Sequence, residues 1–212
     1  MSFLTQHRFP LLWDLFQTAV GGTHDKRRLC LNGVQGCETI LEVGCATGNI
    51  AVVFRQLSQL QYTGIDIDER AVAFAQRRFR NDPRFQFVAG DLRLAFDLST
   101  TFDCILFAGC LHHIADVLAT ELLTCAERHV SRRGRVVVVD PLLPRASDPW
   151  LVRKFIRIER GENVKSGEAM IALLSSVRAL ELIRHEEVLI GATPLSAPIC
   201  ARFGVYELTC QT

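Results

Sequence analysis

The chain has 212 residues, 49% of them hydrophobic, and its 24 basic side chains stand against 23 acidic ones. This length is that of one folded domain whose core needs no disulfide or metal for stability. A net charge of +1 argues against a general nucleic-acid or membrane-surface binder, because such proteins carry a basic excess. No apolar run reaches the roughly 18 residues of a membrane-spanning helix, so we expect no membrane segment.

Eight cysteines are spread along the chain. No two of them are separated by only two residues, the spacing that zinc ribbons and redox motifs require. We therefore expect reduced thiols that pack as small hydrophobic groups, no bound metal, and a cytoplasmic protein.

Short β-type runs alternate with runs of helical period in the middle of the chain. The predicted strands are 39–43, 62–67, 85–88, 104–107 and 135–139, and the predicted helices are 49–57, 69–79 and 116–129. Alternation of this kind is typical of parallel strands joined by right-handed crossovers, with helices on both faces. The sequence therefore predicts an α/β fold with a doubly wound sheet.

The two ends of the chain differ from this middle region. Residues 1–36 have helical spacing, and residues 141–166 hold three prolines and charges of both signs, which predicts an irregular excursion. A helix is predicted over 167–183. Two further strands are predicted over 186–191 and 202–209.

The most informative stretch is the loop after the first predicted strand. Gly44 and Gly48 lie between a strand and a helix, where a tight turn brings backbone N–H groups close to a ligand. A dinucleotide fingerprint has glycine at its second conserved position and glycine or alanine at its third. This chain has Ala46 and Asn49 there, so a nicotinamide cofactor is disfavoured. Glu42, at the strand end, would repel a phosphate and favours an ammonium or sulfonium group.

Acidic residues also follow the second and third predicted strands. Asp66 ends the second strand, where a carboxylate can accept hydrogen bonds from two ribose hydroxyls. The alternative is a helix N-cap, for which Asp68 is better placed. Asp91 follows the third strand. With Glu42, carboxylates are thus predicted at the C-terminal ends of three strands, the edge where ligands bind in open α/β sheets.

Together these motifs resemble those of the class I S-adenosylmethionine-dependent methyltransferases. The run Glu-Val-Gly-Cys-Ala-Thr-Gly at 42–48 resembles the family's first motif, Asp66 its second, and Gly-Asp-Leu at 90–92 its adenine-contacting third. Segments 102–113 and 133–140 resemble the family's later strands. The resemblance implies a seven-stranded, mostly parallel Rossmann-like sheet with an antiparallel C-terminal hairpin.

The same resemblance implies a site for S-adenosyl-L-methionine. Asp66 would hold the ribose while Ile67 packs on the adenine, and Asp91 would read the adenine amino group. Glu42 would hold the methionine end, and Ala46 departs from the glycine that the family often has. The implied cofactor-binding residues are Glu42, Gly44, Cys45, Ala46, Thr47, Gly48, Asp66, Ile67, Asp91, Leu92, Phe107, Ala108 and Gly109.

The resemblance covers about residues 37–140 and implies one methyltransferase domain over 1–212. Its expected parts are a helical N-terminal cap, a cofactor-binding core, a lid-like excursion, and a C-terminal helix with the hairpin. These parts are assigned to 1–36, 37–140, 141–167 and 168–212.

His112 and His113, just past the fourth strand, are the candidate catalytic bases. In-line methyl transfer releases a neutral group and depends mainly on orientation, but a hydroxyl acceptor also needs a base. Histidine titrates near neutrality and suits that role. The alternative is that these residues cap or orient the following helix. Asp140 is one acid after the fifth strand with no second ligand nearby, so no catalytic metal is expected.

The acceptor is predicted to be a small molecule, methylated on oxygen or nitrogen. The Asn/Asp-Pro-Pro-Tyr/Phe loop of base-methylating enzymes is absent at 107–110. The alternatives are a protein or RNA methyltransferase, a non-catalytic module that binds S-adenosylmethionine, and, more distantly, a dehydrogenase. Trp13 in the cap and the stretch from Arg157 to Lys165 are candidate lid residues, the latter as a clamp for an acidic group or as a solvated lid. The sequence leaves the oligomeric state open.

Overall fold

The structure is a computed structural model that describes residues 23–96, 99–155, 162–193 and 195–211. Trp13 of the predicted cap and Arg157 of the predicted clamp lie outside the described residues. The division of the chain into cap, core, excursion and hairpin therefore stays a prediction.

The described residues form a regular alternation of helices and strands. In chain order these are α1 (Thr23–Gly33), β1 (Thr39–Val43), α2 (Ala51–Phe54), β2 (Gln61–Asp66), α3 (Glu69–Phe79), β3 (Phe85–Ala89), α4 (Leu92–Ala95), β4 (Phe102–Ala108), a 3-10 turn (Leu111–His113), α5 (Asp116–His129), β5 (Val130–Pro141), α6 (Trp150–Phe155), α7 (Gly167–Ser175), β6 (Leu180–Gly191) and β7 (Ile199–Cys210). None of the described helices has the length and apolar character that a membrane-spanning helix requires.

The strands form one sheet in the order β3-β2-β1-β4-β5-β7-β6. Strands β1 to β5 are parallel, whereas β7 runs antiparallel to both β5 and β6. This arrangement confirms the predicted sheet and its antiparallel hairpin. The chain builds outward from β1 to β3 and then returns to place β4 on the other side of β1. A crevice opens at such a switch point, beyond the C-terminal ends of β1 and β4.

Both faces of the sheet are buried. In β5, Val136 and Val138 pack in one cluster with Leu123 of α5, whereas Val137 and Val139 pack in a second cluster that includes residues of α1. This two-sided burial explains why the strand reads as a continuous apolar run.

The helices α3 and α5 have the predicted bounds. The start of α3 is fixed by Asp68, whose side chain accepts the backbone N–H groups of Arg70 and Ala71. The N-cap role predicted for Asp68 is thereby confirmed, and the satisfied N–H groups explain why the helix begins at this point.

The helix predicted over 167–183 is wrong in its second half. α7 ends at Ser175, and β6 begins at Leu180, which pairs with Cys210 of β7. Apolar spacing alone did not separate the helix from the strand, because the β7 partner that fixes the strand is distant in sequence. The helix predicted over 49–57 is also shorter in the structure, and α6 was not predicted.

Candidate active site

The loop after β1 has left-handed backbone at both glycines of the predicted tight turn. Gly44 has φ +76° and Gly48 has φ +71°. A β-carbon at Gly44 would also lie 2.8 Å from the sulfur of Cys110, so glycine is required there for space as well. Ala46 has φ +45°, a conformation that costs an L-residue about 1 kcal/mol. The chain thus keeps a strained alanine where the related enzymes often have glycine.

Asp66 holds this loop in place from the end of β2. One carboxylate oxygen accepts the N–H of Ala46 at 2.8 Å, and the other accepts the N–H of Asp68 at 2.9 Å. A carboxylate oxygen can accept two hydrogen bonds, so holding the loop is compatible with accepting hydrogen bonds from the hydroxyls of a ligand. The sequence predicted the position of Asp66 but not its role in shaping the loop.

Glu42 lies buried at the end of β1, where the Tyr62 hydroxyl donates to it at 2.6 Å. Burial raises the pKa of Glu42 to about 7, against the opposing effects of Tyr62 and the positive charge of Lys26. The Lys26 ammonium, on α1, lies against Gly109 at the end of β4. It has no hydrogen-bond or ion-pair partner among the described residues. The carboxyl group of Glu42 and the ammonium of Lys26 therefore approach the crevice from two different elements, β1 and α1.

Lys26 was not predicted as a site residue. Only the packing of α1 against the sheet brings it to the crevice, and its neighbours in the sequence are other charged residues.

The predicted adenine end is only partly available to a ligand. Ile67 is 76% exposed, which is unusual for a large apolar side chain and suits one that packs on a ligand. Asp91 caps α4 and accepts three hydrogen bonds from the Arg93 guanidinium, at 3.0, 3.2 and 2.6 Å, which lower its pKa. Leu92 is buried in the core. A ligand would have to share Asp91 with Arg93.

The remaining predicted contacts lie in the walls of the crevice. Phe107 and Ala108 end β4 and are buried, so their backbone is the part that can face a ligand. Gly109 follows with φ +67°. In the loop after β1, Cys45 and Thr47 are also buried.

The two candidate bases differ sharply in environment. The Nδ1 atom of His112 lies 2.9 Å from Oδ1 of Asp140, and both side chains are almost completely buried. Among the described residues, Nε2 of His112 has no hydrogen-bond partner. His113 packs its ring 3.8 Å from that of His112, with its outer edge exposed. Burial of the inner face and the nearby His112 lower the pKa of His113.

Asp140 was noted in the sequence only as an acid too isolated to bind a metal. Its position at the end of β5, next to β4, was the signal that it could meet His112. Within the described ranges, no three His, Cys, Asp or Glu side chains converge as metal ligands.

Comparison with known proteins agrees with this geometry. Residues 40–134 match the family model described as a methyltransferase domain. The structure of mitomycin 7-O-methyltransferase superposes with a TM-score of 0.75 and 17% identity, covering 100% of this chain and 61% of that protein. Residues 40–134 are therefore similar to a methyltransferase domain, and the fold of the chain is that of S-adenosylmethionine-dependent methyltransferases.

Other methyltransferases match parts of the chain. Human N-acetylserotonin methyltransferase, solved with S-adenosylmethionine, has a TM-score of 0.66 at 18% identity over 88% of this chain and 52% of that protein. A ribosomal protein L11 methyltransferase of Chromobacterium violaceum is 30% identical over 132 residues, which are 60% of this chain. The chain spans only 41% of the length of that relative.

The residues of this crevice fit the cofactor that the match to a methyltransferase domain implies. S-adenosylmethionine carries a carboxylate, an ammonium, a ribose and an adenine ring. The crevice offers Lys26 and Glu42 as opposite charges, Asp66 as an acceptor for hydroxyls, and the exposed Ile67 as an apolar surface.

Of the basic side chains in the predicted clamp for an acidic substrate, Lys165 is the one that the structure describes. Its side chain is buried, and its ammonium pairs with Asp116 at 2.9 Å and donates to the carbonyl of Asn163 at 3.0 Å. The backbone N–H of Asn163 in turn donates to the carbonyl of His112 at 3.1 Å. In this structure Lys165 fixes the segment beside His112, and its charge is already matched.

Proposed function

We propose that this methyltransferase transfers the methyl group of S-adenosylmethionine to a hydroxyl group of a small molecule, with His112 as the general base. The observation that carries the proposal is the buried pair of His112 and Asp140 at the crevice, with Nε2 of the imidazole unpartnered among the described residues. A nitrogen or sulfur acceptor does not require such a pair, whereas a hydroxyl must lose its proton as the methyl group arrives.

The geometry gives each member of the pair a defined role. With Asp140 ionised, the proton of the neutral imidazole lies on Nδ1 and donates to the carboxylate. Nε2 then carries the free lone pair and takes up the acceptor's proton. Asp140 keeps the ring oriented and stabilises the imidazolium that results. The His113 ring packs against that of His112, with ring centroids 3.8 Å apart and planes inclined at 42°.

The cofactor supplies a methyl group on a sulfonium, whose neutral thioether leaving group needs no acid. We propose that Lys26 pairs with its carboxylate and Glu42 with its ammonium, so that opposite charges recognise the two ends of the amino acid. Asp66 accepts hydrogen bonds from the ribose hydroxyls, and Ile67 packs on the adenine. These contacts orient the cofactor relative to His112, which is the main contribution an enzyme makes to this reaction.

A small acceptor is supported by the enclosure of the base. Because Nε2 of His112 is buried, surrounding residues must move to admit any acceptor, and a small molecule needs a smaller opening than the side chain of a folded protein. The near-neutral charge also offers no electrostatic attraction for nucleic acid. The structural likeness to two enzymes named for small acceptors is consistent with this proposal.

Methylation of a protein is the second candidate. It is favoured by the sequence relatives, which are ribosomal protein L11 methyltransferases. An amine acceptor would use the same cofactor contacts but would not depend on His112.

The test is to measure transfer of labelled methyl groups to a panel of hydroxylated small molecules and to ribosomal proteins. We expect transfer to a small hydroxyl compound, and His112→Gln should lower kcat by about 10²- to 10⁴-fold while cofactor affinity stays the same. His113→Gln should lower kcat less. The exposed His185→Gln serves as the matched control and should keep the wild-type rate.

Two results would contradict the proposal. If His112→Gln keeps the wild-type rate across the pH range, no base is provided by this residue. If methyl groups appear only on ribosomal protein, and equally with His112→Gln, the second candidate replaces the first.

A further inference from the structure

Two buried polar atoms beside the candidate base have no role in the function proposed above. They are Oδ2 of Asp140 and the hydroxyl of Tyr206, and neither has a hydrogen-bond partner among the described residues. Both side chains are completely buried. Buried polar groups in folded proteins are nearly always hydrogen-bonded, so a donor and an acceptor left in one region call for an explanation.

The pairing of β5 with β7 brings these two groups to the same face of the sheet. Val138 lies opposite Tyr206, and Asp140 lies opposite Gly204. Side chains of directly opposed residues point to the same side, and so do those of alternate residues along a strand. Because Gly204 has no side chain, the Tyr206 ring lies over it, and a β-carbon there would come within 2.5 Å of the hydroxyl oxygen. The hydroxyl is thus held directly across from Asp140.

A second carboxylate near this hydroxyl, Glu187 of β6, is already occupied. Its Oε2 accepts a hydrogen bond from Arg202 at 2.9 Å, and its Oε1 pairs with Arg145 at 2.8 Å. Burial and the negative charge of Glu187 are the leading causes that raise the pKa of Tyr206, so its proton stays on the oxygen at any physiological pH. The hydroxyl can therefore donate a hydrogen bond, whereas both oxygens of Glu187 already have an arginine partner.

A third carboxylate, Glu168, is exposed at the start of α7 and is stabilised there by a backbone N–H and by Ser166. Asp140 is different, because only its Oδ1 is engaged, by His112. Of the carboxylates that face Tyr206, Asp140 alone has a buried oxygen with no partner among the described residues.

We propose that Tyr206 is a positioning residue whose hydroxyl donates to Oδ2 of Asp140 through one bound water, and so holds the carboxylate that orients His112. The inference rests on the proposed role of His112 as base. Donors on both oxygens fix the rotation of the carboxyl group and share its negative charge between two hydrogen bonds. The other groups facing His112 are the stacked His113 and, through it, the ammonium of Lys26.

The test compares the NMR titration of His112 in the cofactor-free protein with that in Tyr206→Phe. The signal is assigned by its loss in His112→Gln. Without the hydroxyl, Asp140 attracts the proton of the pair more strongly, so the titration midpoint should rise by about 0.5–1 pH unit. Tyr62→Phe removes the only other tyrosine hydroxyl of the chain, on the opposite face of the sheet, and should leave this midpoint unchanged. An unchanged midpoint in Tyr206→Phe would overturn the inference.

Two further measurements guard against a packing effect. Incorporating fluorotyrosine into Tyr62→Phe makes the Tyr206 hydroxyl a stronger donor while keeping the ring, and the midpoint should move down. In an Asp140→Asn background, Tyr206→Phe should have no further effect, because the route through Asp140 is gone. A downward or null shift in Tyr206→Phe, or additive effects in the double variant, would count against the inference.

Turnover separates this inference from the proposed function. In an active enzyme, Tyr206→Phe should shift the acidic limb of the pH profile of kcat to higher pH by the same 0.5–1 unit. At low pH this lowers kcat by about 3- to 10-fold, with little change in KM for the cofactor. If the midpoint moves but His112→Gln retains full activity, the positioning by Tyr206 stands and the base role of His112 falls. If His112→Gln is inactive but the midpoint does not move, the reverse holds.

Discussion

Replacing Glu42 by glutamine should remove a pH-dependent penalty on the stability of the fold. In the folded protein Glu42 keeps its proton up to a pKa of about 7, whereas the same carboxyl titrates near 4.5 in an unfolded chain. The folded state therefore binds more protons between these two values, and stability falls as the pH rises through that window. A difference of about 2.5 units corresponds to about 3 kcal/mol, and the side chain is buried, so solvent screens little of it.

The assay is urea unfolding of the cofactor-free protein at a series of pH values from 4.5 to 8. Wild-type protein should lose about 3 kcal/mol more than Glu42→Gln over this range, because the amide does not ionise. Glu38→Gln is the matched control, since Glu38 is exposed just before β1 and should leave the wild-type pH profile intact. Parallel profiles for wild type and Glu42→Gln would refute the reasoning, because they would mean that Glu42 titrates alike in the folded and unfolded chains.

The same substitution should weaken cofactor binding at pH 8. Ionised Glu42 attracts the ammonium of the ligand, and glutamine keeps only the hydrogen-bonding capacity. A more stable but more weakly binding variant is the expected signature of a group kept for its function.

Three other substitutions test the site and its surroundings. Asp66→Ala should lower cofactor affinity about 10- to 150-fold by calorimetry, through lost hydrogen bonds to a charged acceptor and a looser loop, and an unchanged affinity would remove Asp66 from the site. Ala46→Gly should raise the free energy of unfolding by up to about 1 kcal/mol, because φ +45° suits glycine, and a loss of stability would show that the alanine is not strained. Arg202→Ala should destabilise the fold by about 3–5 kcal/mol in urea unfolding, because it leaves the buried Asp148 and the half-buried Glu187 without their shared partner, and a change below 1 kcal/mol would contradict that reading.

The positions of Glu42 and Asp66 in the fold were predicted correctly, whereas their contacts with a cofactor stay a prediction. Glu42 and Asp66 each directly follow an apolar run, so their places at strand ends can be found without knowing which strands are neighbours. The tight turn after β1 was likewise predicted from Gly44 and Gly48. The adenine contact by Asp91 remains a prediction, and its ion pair with Arg93 was not foreseen although the two residues are only two apart.

The part that was missed depends on the order of the strands. His112 and Asp140 are 28 residues apart, and they meet because β4 and β5 are parallel neighbours. Lys26 reaches the crevice because α1 packs against β5 and β6, which places its ammonium beside Gly109. Neither contact has a periodic signal in the sequence, since each joins single residues on elements whose pairing is set by the whole sheet.

Tyr206 shows most clearly why such contacts escape a reading of the sequence. Its strand was predicted from its apolar alternation, and in that pattern a tyrosine is simply a buried aromatic residue. Its hydroxyl gains significance only because β7 is inserted antiparallel between β5 and β6, which sets Gly204 against Asp140. The hairpin that completes the sheet thereby also completes the surroundings of the candidate base. An exchange of the C-terminal hairpin between related enzymes should therefore alter the pH dependence of catalysis even when every residue that touches the cofactor is retained.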